Sequence, residues 1–340
     1  MSAYPFRYRP DDELSFPIPG GFQRGKNRMQ EWVLPGSPHP PAAGRYHLFI
    51  NYSCGWSHQA LLVRSLKGLI DAITVSHTYQ RPVRPNGWPI IQPDPSGCGF
   101  TTTLEVYNSN NPEYGNTQLT VPILFDKQLK RVVSNDPAHI LFMLNEAFNE
   151  WATKPSLDLY PESKRAQIEQ INTILWPGLN DGVYRCGFAR TDETYAIAHE
   201  ALREALEFVS KTVEEHAYLC GDELTLADVR AFPHLIRFDL IYRQLMLRND
   251  TTPLLSVSQS TQAYLAKLFR MPEVQRTCDL HLAVVGYYAQ LGEMRGLPKT
   301  IAEDDAIYSE LKYSWMPTQE ELEQKRSLEG LPEKAHSHLP

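Results

Sequence analysis

The feature that most constrains this chain is a change of hydrophobic period within about thirty residues, the span of one supersecondary unit. Tyr46-His-Leu-Phe-Ile-Asn-Tyr52 is a short aromatic and β-branched run that suits a buried strand. From Cys54 to Leu69 the period lengthens. Leu62, Leu66 and Leu69 fall at i, i+4 and i+7 with Val63 and Ile70 beside them, the stripe of an amphipathic helix closed by Lys67-Gly68. Asp71-Ala-Ile-Thr-Val-Ser76 then reads as a second strand. Strand, helix and strand in this order make a βαβ unit, which predicts a parallel pair with a right-handed crossover.

The remainder organises around that unit. Residues 1–45 carry Pro-Ile-Pro-Gly-Gly and Gly-Ser-Pro-His-Pro-Pro and read as an extended arm. Residues 77–119, rich in Pro, Asn, Gly and Thr, read as a long irregular insertion where a second helix would be expected. Thr120-Val-Pro-Ile-Leu-Phe125 and Arg131-Val-Val-Ser134 predict an antiparallel hairpin, and Asp136-Pro137 opens a helix to about Glu150, with Asp as N-cap and Pro at the first helical position. Strands nearly vanish after residue 160. Leu202, Leu206, Val209 and Val213 form one helical stripe; Thr225-Leu-Ala-Asp228 is a capping signal ahead of another carrying Val229, Ile236 and Leu240. The 340 residues suffice for two average domains. The expected division is an arm over 1–45, an α/β domain over 46–153 with its insertion at 77–119, an all-helical domain over 162–300 and a tail over 301–340, the boundary lying near Lys154 to Pro161.

Charge and cysteine usage narrow the chemistry. With Lys+Arg at 33 against Asp+Glu at 40, the chain offers no broad basic surface for nucleic-acid phosphates. It has no apolar stretch of membrane-spanning length and no signal-peptide plan at its start, so the expected setting is cytoplasmic. Cys54, Cys98, Cys186, Cys220 and Cys278 form neither a disulfide framework nor a zinc pair, and the histidines show no H-x-x-x-H spacing, so no metal is expected. Of the five cysteines, Cys54 alone falls where a strand hands over to a helix. Free N–H groups and the positive end of the macrodipole there favour an anion, and the thiolate is the reactive form of cysteine. A βαβββα order with one cysteine at this point is the thioredoxin-like arrangement. Without a second cysteine at Ser57, a mixed disulfide with an external thiol replaces an internal one. Val121-Pro122, entering a strand, suits a cis-proline or an ordinary edge proline. Trp88, Tyr184, Tyr242, Tyr287 and Tyr288 are candidates to line a site for a flat aromatic substrate, set against simple core packing.

Several segments together resemble a known family. Gly44-Arg-Tyr-His-Leu48, Cys54-Gly-Trp-Ser-His58, Asn86-Gly-Trp88, Thr120-Val-Pro-Ile-Leu-Phe-Asp126, Gly182-Val-Tyr-Arg-Cys-Gly-Phe-Ala189, Leu219-Cys-Gly-Asp222 and Ile236-Arg-Phe-Asp-Leu-Ile-Tyr242 resemble, in order, the glutathionyl-hydroquinone reductases, the Xi class of glutathione transferases. The resemblance implies a thioredoxin-like domain fused to an all-α domain, usually as a homodimer. It implies that Cys54 attacks the sulfur of an aromatic glutathionyl conjugate, forms a mixed disulfide and releases a hydroquinone, after which a second glutathione releases oxidised glutathione. By position it assigns Trp88, Val121, Pro122 and Asp136 to glutathione, and Tyr184, Tyr242 and Tyr287 or Tyr288 to the aromatic ring, with Tyr184 near the leaving phenolate. The alternatives are an omega-like thioltransferase or dehydroascorbate reductase using the same cysteine, and a non-catalytic binding module. The chain departs from the family pattern at Cys54-Gly55-Trp56-Ser57 (Cys-Pro-Trp-Ala in the family), at Ser134-Asn-Asp-Pro137 (Ser-Asn-Glu-Ser) and after Gly286-Tyr-Tyr288. Glutathione transferases commonly place at the Pro137 position a serine whose N–H and hydroxyl meet the γ-glutamyl carboxylate.

Overall fold

A four-stranded sheet carries the α/β part of the molecule: β1 (Tyr46–Ile50), β2 (Thr74–His77), β3 (Ile123–Asp126) and β4 (Arg131–Ser134) lie in the order β2-β1-β3-β4. The computed structural model describes residues 19–23, 25, 29–80, 86–110, 119–248, 258–292 and 301–328. Part of the expected arm (1–18, 24 and 26–28), two stretches of the insertion (81–85 and 111–118) and the end of the tail (329–340) lie outside the described residues.

The period change in the sequence becomes β1 (Tyr46–Ile50), α1 (Gly55–Leu66) and β2 (Thr74–His77), with β1 and β2 parallel. All five β1 residues are buried, as befits a central strand covered on both faces. β3 (Ile123–Asp126) runs antiparallel to β1 and pairs with β4 (Arg131–Ser134) as a hairpin. α3 (Pro137–Glu146) packs beside α1. On one side of the sheet Phe49, Ile123, Phe125 and Val132 form a core with Ile90, Val106, Tyr107 and Val121.

Residues 77–119 contain the helix whose place they seemed to vacate. α2 (Thr103–Asn108) starts at Thr102, whose side chain accepts from the Glu105 N–H while Glu105 reaches back to the cap. The signal was Thr102-x-x-Glu105, a capping box hidden among turn residues. Val106 and Tyr107 of this short helix are wholly buried in the core just described.

The molecule divides into two compact units, Met1–Lys26 with Leu157–Pro272 and Asn27–Ser156 with Glu273–Pro340. These units do not follow the linear order of the chain. The expected helical domain over 162–300 gives up residues 273 onward to the sheet unit, the expected arm over 1–45 is shared between the units, and the expected tail contains α12 (Ile301–Leu311) and α13 (Gln319–Leu328). The physical reasons are local. His58 of α1 bonds Thr277 Oγ1 at 3.0 Å, and Gly286 lies against Ser53. Met29 and Glu31 exchange backbone hydrogen bonds with Asn135 and Val133, covering the outer edge of β4, and Val33 is fully buried.

The helical unit is built from α4 (Arg165–Leu175), α5 (Gly182–Gly187), α6 (Asp192–Glu215), α7 (Leu226–Ile236), α8 (Arg243–Met246) and α9 (Gln259–Phe269), and the short α10 (Pro272–Gln275) starts at its last residue. α6 buries Leu202, Leu206 and Val209 of its predicted stripe. At the start of α7, Asp228 accepts from the N–H groups of Thr225 and Leu219 at 2.9 Å each and from the Tyr264 hydroxyl at 2.8 Å. Those bonds satisfy a carboxyl whose burial pushes its pKa up. Residues 176–180 and 238–242 are π-helical turns next to α4 and α7.

Asp126 at the end of β3 is a buried hub. It meets the Arg45 guanidinium at 2.9 and 3.0 Å, His39 Nδ1 at 2.8 Å and the N–H groups of Gln128 and Leu129. His39 Nε2 in turn meets Glu31 at 2.6 Å. Burial alone would raise the Asp126 carboxyl, but the bonds from Arg45, His39 and Leu129 outweigh it and hold the group below the ordinary carboxylate range. Asp126→Asn keeps the shape and strands Arg45, so it should cost about 3–5 kcal/mol in urea unfolding. Because the folded pKa lies below the unfolded value of about 3.9, the native stabilisation is complete above that value and lost as pH falls through the folded one. The variant should therefore show a shallower acid limb in a stability–pH curve.

Candidate active site

Cys54 is the N-cap of α1, with extended backbone, and its Sγ accepts from the Ser57 N–H at 3.4 Å. The thiol donates to the Val121 carbonyl at 3.3 Å, and the Val121–Pro122 peptide is cis. Cys54 is half-buried against the core that includes Val121, and Trp88 packs against the same cluster. The other cysteines differ. Burial pushes the Cys186 thiol up to about 12 and raises Cys220 as well, and Cys278 is buried beside His58. Cys98 is half-buried and packs against the same core, but it sits in a turn where its N–H donates to Ser96 Oγ, and it caps no helix.

Trp88 is held through its backbone. Its N–H donates to Thr103 Oγ1 and its carbonyl accepts from Thr103 N–H, both at 2.9 Å. Gly87 before it has φ +78°, and a Cβ there would lie 2.4 Å from Thr103 Oγ1. Only glycine meets both conditions.

Asp136 is already in use as the N-cap of α3. Its Oδ1 accepts from Ala138 N–H at 3.0 Å and His139 N–H at 3.3 Å, and its Oδ2 accepts from Gln30 Nε2 at 2.8 Å. Pro137 at the first helical position has no N–H to give, and Ile140 N–H bonds the Asp136 carbonyl. The first turn of α3 is thus closed by its own residues. Sequence reasoning missed Gln30, because nothing in a Pro- and Gly-rich arm announces a contact more than a hundred positions away. Asn135, buried next to Asp136, accepts from Met29 N–H at 3.1 Å through Oδ1, and its Nδ2 has no partner among the described residues.

The four tyrosines separate by unit. Tyr184 and Tyr242 belong to the helical unit, their rings edge-to-face at 5.8 Å, with Phe22 stacked on Tyr184 at 6.4 Å and His234 stacked on Tyr242 at 5.8 Å. Tyr287 and Tyr288 belong to the sheet unit, at the end of α11 (Leu280–Tyr287) and the start of a π-helical turn, and both are buried. Among the described residues no group of three or more His, Cys, Asp and Glu side chains could hold a metal ion, and no helix is long and apolar enough to cross a membrane.

Comparison with known proteins places this arrangement. Residues 192–259 match the family model for the glutathione S-transferase C-terminal domain. The chain is 39% identical over 227 residues to the glutathionyl-hydroquinone reductase PcpF of Sphingobium chlorophenolicum, covering 66% of this chain and 71% of that protein. It belongs to the glutathionyl-hydroquinone reductases. Solved structures of the Xi class agree: the glutathione S-transferase Xi of Phanerochaete chrysosporium superposes with a TM-score of 0.75 at 32% identity, over 82% of this chain and 97% of that one. The glutathione-bound structure of YqjG from Escherichia coli K-12 superposes with a TM-score of 0.72 at 28% identity, over 79% of this chain and 90% of that one. The fold is therefore that of a glutathione transferase, a thioredoxin-like domain joined to an all-α domain, and the chain is an enzyme of that superfamily.

The closed α3 end yields a stability test. Asp136→Ala should cost about 1–2 kcal/mol in chemical unfolding, the value of a lost N-cap. Gln30→Ala, which leaves both capping bonds in place, should cost less than half as much.

Proposed function

We propose that this protein reduces aromatic glutathionyl-hydroquinones, using glutathione as co-substrate and Cys54 as nucleophile. The observation that carries the reading is the placement of one half-exposed thiol at the N-cap of α1, 3.3 Å from the carbonyl that precedes cis-Pro122, in a member of this family.

In the first half-reaction the Cys54 thiolate attacks the sulfur of the conjugate. The S–S bond forms as the sulfur–ring carbon bond breaks, its electron pair goes to the ring carbon, and a proton completes the free hydroquinone. The resemblance assigns Tyr184, Tyr242 and one of Tyr287 or Tyr288 to the aromatic ring, and a tyrosine hydroxyl, that of Tyr184, would supply or orient that proton. In the second half-reaction a glutathione thiolate attacks the mixed disulfide, oxidised glutathione leaves, and Cys54 returns as thiolate. Two glutathionyl sulfurs are oxidised and the aromatic substrate is reduced by two electrons. Ser57 N–H supports the anionic sulfur, Trp88 and the Val121 backbone flank the glutathione, and the protein acts as a homodimer in the cytoplasm. An omega-like thioltransferase would use the same cysteine with a different leaving group, and a binding module would not use it at all.

Cys54→Ser separates these readings. Incubation of the native protein with oxidised glutathione should add a single glutathione to Cys54, seen by peptide mass spectrometry, and the variant should take none while keeping its melting temperature. Turnover of a glutathionyl-hydroquinone should fall by at least 10³-fold, and a variant that kept most of its turnover would remove Cys54 from the mechanism. Absence of any adduct on the native protein would favour the binding module.

The α3 end gives a second test of the same reading. With Pro137 lacking an N–H and Asp136 holding the next two, the helix has no free donor there for a carboxylate. Glutathione should bind weakly for this family, and Pro137→Ser should tighten it by roughly tenfold, the worth of one hydrogen bond to a charged group. Calorimetry on both forms decides. Equal affinities would mean that the γ-glutamyl carboxylate binds elsewhere.

A further inference from the structure

α11 is tied at one end to the end of the described chain and at the other to the loop that holds Cys54. At its start, Asp279 caps the helix by accepting from Leu282 N–H at 3.0 Å. The same carboxylate accepts two parallel bonds from one edge of the Arg326 guanidinium of α13, from Nε at 2.6 Å and Nη2 at 2.8 Å, and the pair is almost wholly buried. Arg326 also donates to His281 Nδ1 at 3.0 Å. A guanidinium only donates, so Nδ1 accepts, and the ring proton sits on Nε2, facing Asp305 of α12 at 2.5 Å. Next to Arg326, Lys325 Nζ reaches the carbonyls of Arg276 at 2.8 Å and Cys278 at 3.2 Å. Three residues of two C-terminal helices thus grip the first turn of α11 and the segment before it.

At the other end the helix meets the nucleophile's neighbourhood without slack. A Cβ on Gly286 would come within 2.8 Å of Ser53 Cβ and Oγ and 3.1 Å of Gln80 Oε1. Ser53 immediately precedes Cys54, and its N–H is fixed to Asn51 Oδ1 at 2.8 Å. A shift of α11 along its axis would therefore press on, or withdraw from, the residue that sets where the thiol sits. Two full turns of rigid helix connect the grip to the contact.

We propose that Arg326 is a positioning residue for Cys54, acting through Asp279 and α11 on the Ser53–Cys54 loop. The proposal rests on Cys54 as nucleophile, but its readout needs no glutathione. The rate at which iodoacetamide alkylates Cys54, followed by peptide mass spectrometry on the full chain, reports how the thiol is held. Arg326→Met should slow that alkylation at least fivefold, and Arg326→Lys, which keeps the charge and a donor, should recover most of it. Asp126→Asn is the control, because it destabilises the same unit from the end of β3 away from Val121 and should leave the rate within twofold. A folded Arg326→Met with the native rate, or an Asp126→Asn that slows alkylation as much, overturns the proposal. If Arg326→Met does not fold, Gly286→Ala carries the test at the contact itself, and an unchanged rate there overturns it equally. Failure of native Cys54 to take up glutathione would count against the proposed function while leaving these comparisons intact.

Discussion

A carboxylate with no exposed surface, Asp126, must be neutralised and hydrogen-bonded where it stands, and much of the sheet unit is arranged to do that. Its position opposite Tyr46 in the β1–β3 register puts it beside Arg45, so the ion pair and the strand pairing fix each other. His39 extends the hub to Glu31, and Glu31 meets Arg131 on β4 at 2.8 Å. The segment before β1 is thereby bound to both strands of the hairpin at its turn end. That binding is what delivers Met29 and Gln30 to the edge of β4 and to Asp136.

The chemistry at the opposite end of β3 follows from position more than from residue type. Five cysteines are chemically alike, yet burial raises Cys186 and Cys220, encloses Cys278, and leaves Cys54 half-exposed at a helix end with a donor N–H. The neighbouring helix end, that of α3, is built in the opposite sense. There the protein's own carboxylate occupies the donors, and a proline removes the remaining one. One helix terminus is capped by a half-exposed sulfur and the other by a buried carboxylate.

The return of the chain after residue 272 changes what belongs to the site. Read along the sequence, α11 is one more helix of the second half; in space it belongs with the sheet unit, with Gly286 against Ser53 and Thr277 against His58. Glycine at 286 reads as neutral in a helical pattern, and only the 2.8 Å approach to Ser53 shows that a larger residue would have to displace that neighbour.

The sequence by itself determined the elements whose information is local. The period change from Tyr46 to Ser76, the Asp136-Pro137 start of α3 and the Thr225-x-x-Asp228 box are each written within a few residues, because strand alternation, helix periodicity and capping are near-neighbour effects. The same locality marked Cys54, and the Thr102-x-x-Glu105 box that starts α2 was equally present though masked by its turn-rich surroundings. Tertiary structure decided the rest. The links of Arg45 and His39 to Asp126, the closure of Asp136 by Gln30, and the grip of Arg326 on Asp279 join residues 47 to 106 positions apart. Such contacts depend on which surfaces folding brings together, and burial then turns an ordinary Asp, Gln or Arg into a structural requirement.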